Sequence, residues 1–213
     1  MSTKKEKFNK FSVPLGLLDY VNPICYCITM VTIIKNTHDV GQPYGTIFLI
    51  GAIISILFGF IIPTGKVIVG LGLLKFRMPV SLVFCVNTGI LISGLMMFRY
   101  VMNVNAWVIC LLMAVIVILL ILTYRKSRKI NTIAVLTGAF GYLLLYMALI
   151  TLSIRKGIAI PIIMYAFAIL LFVMLCGIGI KADLKNPKVH WVIEASNVIC
   201  QMLVAMATVV LFA

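Results

Sequence analysis

Seven long apolar runs dominate this chain, each close to the roughly 20 residues that a helix needs to cross a hydrocarbon layer. Few folds accept them. The sequence is 63% apolar and 11% charged, where a soluble domain averages about 45–50% and about 25%. Its surface is therefore wrong for water. In lipid every backbone N–H and C=O must be paired inside the protein, which leaves helices or a closed barrel. A barrel reads as short alternating segments of about ten residues, and these runs are unbroken. The expected fold class is an all-α integral membrane protein. It is a seven-transmembrane-helix bundle in a single transmembrane domain over residues 1–213.

The spans are expected at about 14–34, 44–62, 79–99, 105–124, 130–153, 158–180 and 190–212. The segment from Pro63 to Met78 fits none of them. Its apolar part, Val67 to Leu74, is too short to cross and carries Gly70 and Gly72. It reads as an interfacial or re-entrant piece, or as an N-terminal extension of the third span.

Lysine and arginine collect on the cytoplasmic side of membrane proteins. With the N-terminus inside, the inner segments hold fourteen of the eighteen Lys and Arg residues, and the outer ones hold Lys35, Arg99, Arg155 and Lys156. A wrong number of spans would scramble this alternation. The expected orientation is N-terminus cytoplasmic and C-terminus outside, in the cell membrane. The net charge of +13 then needs no nucleic acid, and the lipid bilayer with its anionic headgroups is the expected partner. Lys4, Lys5, Lys7 and Lys10 before an apolar run outline a signal peptide. No small-residue cleavage site follows, and Asp19, Asn22 and Pro23 interrupt the run, so a retained first span is expected.

The runs differ in character. From Ala106 to Leu122 the fourth carries only aliphatic residues with Cys110, Met113 and Trp107, as expected of a helix facing lipid at the periphery. Gly51, Ser55 and Gly59 repeat every four residues on the second, a row that lets a neighbouring backbone approach. Gly89, Ser93 and Gly94 on the third and Gly138 and Gly141 on the fifth suggest the same. The six cysteines all fall inside apolar runs and form no C-x-x-C, so they read as small buried residues. Three spans, a bland fourth and three more suggest parallel repeats. A shift of 110 residues lays Asn87 on Asn197 and Met96 on Met206, though other positions match poorly.

Polar side chains at membrane depth are costly and usually face a cavity or a partner. On the seventh span His190, Glu194, Asn197 and Gln201 recur at spacings of four, three and four, one stripe along one helix face. On the first span Asp19, Asn22 and Tyr26 share an arc, and Pro23 removes a backbone donor where the helix can kink. Asn87 lies near the middle of the third. These eight residues are the candidate substrate- or ion-binding set. They suggest one hydrated pocket open to the cytoplasm and lined by spans one, three and seven, with Glu194 as its cation or proton site. Two plainer readings stand beside it: interfacial charges at Asp19 and Glu194, and polar side chains that merely join helices.

That constellation suits a transporter or channel for a small polar solute or ion. The plan resembles that of the SWEET sugar transporters and the related Pnu vitamin transporters, in which three, one and three helices follow one another. By that resemblance Asn87 and Asn197 match the asparagines that face substrate on helices three and seven. Pro23, Pro43 and Pro161 stand where hinge prolines would. The paired binding-site tryptophans have no counterpart, since Trp107 and Trp191 fall elsewhere, and the charge bias puts the N-terminus on the opposite side.

A second reading is an intramembrane lipid-modifying enzyme. Asp19-x-x-Asn22 and His190-x-x-x-Glu194 resemble the placement of polar motifs in the hemolysin III and adiponectin-receptor family. That resemblance implies zinc held by three histidines, whereas this chain has only His38 and His190. No nucleophile stands beside a base either. A third reading is a non-catalytic partner or immunity protein. No cofactor or metal is expected, for the chain has no Walker sequence, no G-x-G-x-x-G and no lysine in its seventh span.

Overall fold

The computed structural model describes residues 12–37, 44–73, 79–127, 129–181 and 187–213. Eight helices and no strand are found among them. They are α1 (Val13–Asp19), α2 (Val21–Asn36), α3 (Tyr44–Gly70), α4 (Val80–Met102), α5 (Ala106–Ser127), α6 (Ile130–Lys156), α7 (Ala159–Lys181) and α8 (Pro187–Phe212). The first two make one bent span, so seven spans are long and apolar enough to cross a membrane. That is the make-up of a multi-pass membrane protein.

The bend has a covalent cause. Pro23 has no N–H to give to the carbonyl of Asp19 one turn back. The helix tightens at Tyr20, whose N–H donates to Leu17, and resumes with Ile24 donating to Tyr20 at 3.3 Å. Gly59 of α3 lies against Pro23, where even one added carbon would stand 3.2 Å from the proline ring.

The second span runs past its expected end. α3 continues through Pro63 to Gly70, 27 residues in all. At 1.5 Å per residue it is about 40 Å long, more than the roughly 30 Å hydrocarbon core. The stretch expected to be interfacial, re-entrant or part of the third span is therefore, as far as Gly70, the last turns of the second. Residues 74–78 lie outside the described residues.

The spans close into a ring. α2 packs on α3, α3 on α4, α4 on α6, α6 on α7, α7 on α8, and α8 on α2 again. α5 lies outside it against α6, with Ile109 and Ile116 its buried residues and Trp107 80% exposed. Glycine sets the closest contacts. A side chain at Gly94 of α4 would strike the backbone of Gly141 on α6, and one at Gly51 of α3 would strike Gly89 of α4. These are the small-residue positions expected to pack. Of the residues that the 110-residue shift superposes, Met96 is buried and Met206 is 57% exposed.

One end of the bundle is pinned by cations. Arg155 of α6 donates to the carbonyl of Val101 in α4. Lys156 donates to Leu211 in α8 at 3.1 Å and lies over the Phe212 ring. Both satisfy carbonyls that a helix C-terminus leaves without a partner.

Candidate functional site

Among the described residues, the opposite end carries the acidic groups, Asp19 and Glu194. Gly16 of α1 has no side chain, so the last turns of α3 come close, with Val67 and the stem of Lys66 against it. Lys66 is thereby set between two carboxylates. Its Nζ donates to Asp19 Oδ2 at 2.7 Å and to Glu194 Oε1 at 2.6 Å. The side chains are mostly buried, at 13% exposed for Lys66, 10% for Asp19 and 14% for Glu194. With all three ionised the cluster carries one negative charge, since two carboxylates face one ammonium. Asn22 adds a bond from Nδ2 to Asp19 Oδ1 at 2.8 Å.

Above this cluster lies a cavity of about 300 Å³. Its walls come from every span of the ring: Asp19, Asn22, Pro23 and Tyr26 of the first, Ser55, Gly59 and Ile62 of α3, and Val86, Asn87 and Ile90 of α4. Val135, Gly138 and Tyr142 of α6, Phe172, Leu175 and Cys176 of α7, and Ile193 and Asn197 of α8 complete it. These residues lie between the acidic end and the middle of their helices. The far half of the ring is filled instead by Met30, Ile33, Met97, Leu149, Val204 and Leu211, all fully buried. The cavity is one-sided.

The eight candidate residues divide into three groups. Asp19, Asn22, Tyr26, Asn87 and Asn197 all line the cavity. Glu194 faces Lys66 at its end, and Gln201 is buried deeper, beside Tyr142. His190 lies within α8, with its side chain outside the described residues, as is the whole of His38. The pocket expected between three spans is formed by six. Asn87 has two parts to play, for its Nδ2 donates to the Ala134 carbonyl of α6 at 2.8 Å while its side chain borders the cavity.

Two polar atoms in the wall lack a well-made hydrogen bond. Asn22 Oδ1 and the Tyr26 hydroxyl are buried without a hydrogen-bond partner of normal geometry. A buried polar atom left so costs about 1–3 kcal/mol unless something else meets it.

Sequence reading missed Lys66, counted there only as a loop charge. Its trace in the sequence is slight: the apolar pattern resumes at Val67 beyond it, and nothing local names two carboxylates as its partners. Tyr142, Phe172 and Cys176 gave no signal, because they read as ordinary core. Among the described residues no group of three His, Cys, Asp or Glu side chains is placed to hold a metal.

Comparison with known protein families, curated proteins and solved structures finds no match for this chain.

Proposed function

We propose that the chain is a transporter or channel of the cell membrane that carries a small polar solute or ion through the middle of the six-helix ring. Its N-terminus lies in the cytoplasm, and the acidic end of the ring faces that side. The one-sided cavity carries this reading. A solute pathway closed on one face has a hydrated chamber on the other, walled by the helices that must move to expose it. Lys66 ties the first, second and seventh spans together at the mouth, so it is placed to hold that face in one arrangement. Glu194 is the site where a proton or cation neutralises the excess charge. Asn87 and Asn197 both border the chamber, the positions that the resemblance to the SWEET plan gives to substrate-facing asparagines.

Cys176 makes the test simple, because it lines the cavity. In a variant that keeps Cys176 and replaces the other cysteines with serine, a membrane-impermeant thiol reagent should label it from the cytoplasmic face. No labelling from either face, in folded protein whose denatured form does react, would contradict a solute chamber.

A further inference from the structure

We propose that the cavity takes a small protonated amine, an ammonium group with N–H donors on a compact apolar or aromatic body. This rests on the reading of the cavity as a solute site and names the solute's class.

Asp19, as a carboxylate, only accepts. The side chain of Asn22 must therefore turn its NH2 to Asp19, and the atom left bare is the accepting Oδ1. One turn on, Tyr26 is 5% exposed, and its hydroxyl lies near the Ser55 and Ser93 hydroxyls without a hydrogen bond of normal geometry. Donors nearby already face protein acceptors: Lys66 two carboxylates, Ser55 the Val86 carbonyl and Asn87 the Ala134 carbonyl. The wall atom left with no partner is the acceptor oxygen of Asn22, next to a cluster that carries one net negative charge when all three groups are ionised. An anion is repelled there, and a neutral polyol gains nothing from the charge. An ammonium supplies donors and charge together.

The rest of the wall suits the body of such a molecule. Tyr142 stands edge-on to Tyr26 at 89°, with centroids 6.3 Å apart, and at 61° to Phe172 at 5.1 Å. All three rings line the cavity, with Tyr142 set steeply to both of the others. Ring faces attract a nearby cation and accept an aromatic or aliphatic body equally well.

The test uses the full chain in lipid nanodiscs and three probes of one shape: 2-phenylethylamine, 2-phenylethanol and 3-phenylpropanoate. Calorimetry at neutral pH should show the amine binding wild type, with the alcohol and the carboxylate at least about tenfold weaker. Asn22→Ala and Tyr26→Phe should each weaken the amine by about tenfold. Tyr26→Phe deletes a single oxygen, so it carries the test if Asn22→Ala does not fold. Equal binding of alcohol and amine, no amine binding to wild type, or unchanged amine binding in Tyr26→Phe would each overturn the proposal. Sodium, potassium and glucose run in the same assay separate the two levels. Binding of one of these that is lost in Asn22→Ala overturns the amine and keeps the transport reading. Amine binding without flux across liposomes keeps the amine site and overturns transport.

Discussion

The Lys66 ammonium donates to Glu194 at 2.6 Å across 128 positions of sequence, and the same nitrogen holds Asp19 at 2.7 Å. One cation thus joins three spans at the mouth of the cavity. Taking a partner away from a buried ion pair strands the remaining charge, which costs about 3–5 kcal/mol, whereas replacing the whole group by neutral side chains often costs little. Lys66→Met should therefore lower the melting temperature strongly. The triple variant Asp19→Asn, Lys66→Met, Glu194→Gln should recover most of the loss. If Lys66→Met melted like wild type, the cluster would not be holding the spans together.

Glycine at the α4–α6 contact gives an internal contrast. A Cβ at Gly94 would overlap the Gly141 carbonyl, while one at Gly177 of α7 would meet nothing within 4 Å. Gly94→Ala should destabilise by about 1–3 kcal/mol through overpacking. Gly177→Ala should be neutral or stabilising by up to about 1 kcal/mol, from helix propensity. Melting of the two variants side by side checks the sign of each.

Asn87 separates joining helices from binding solute. Its bond to Ala134 is of a kind worth about 0.6 kcal/mol inside a membrane protein, so Asn87→Ala should melt only slightly below wild type. Solute uptake should fall well beyond that small loss, because the side chain borders the cavity. Unchanged uptake would leave Asn87 as a packing residue alone.

The number of spans was legible because hydropathy sets it, and the bare fourth run told of its own place outside the ring. The end of α3 was not legible. Apolar length stops at Pro63 and Lys66, yet the helix runs on to Gly70. What allows it is a pair of carboxylates from other spans, a tertiary fact with no local trace. The polar stripe on α8 was visible as a stripe, but periodicity gives faces and not neighbours. It pointed Asn197 at the pocket, but it could not say that Glu194 would meet Lys66 or that Gln201 would go deeper, beside Tyr142. Arg155 and Lys156 likewise read as loop charges, and both reach carbonyls of neighbouring helices.

Flux through the ring is the direct measurement. Proteoliposomes of wild type and Glu194→Gln would be loaded at several pH values and scored for uptake of amines, polar neutral solutes and monovalent cations. Protonating a carboxylate removes the cluster's excess negative charge, as Glu194→Gln does permanently. Wild type should accumulate a solute with a rate that changes with pH, and the variant should lose that pH dependence. Folded wild type that moves no solute or ion faster than protein-free liposomes at any pH would contradict a transport role for the cavity.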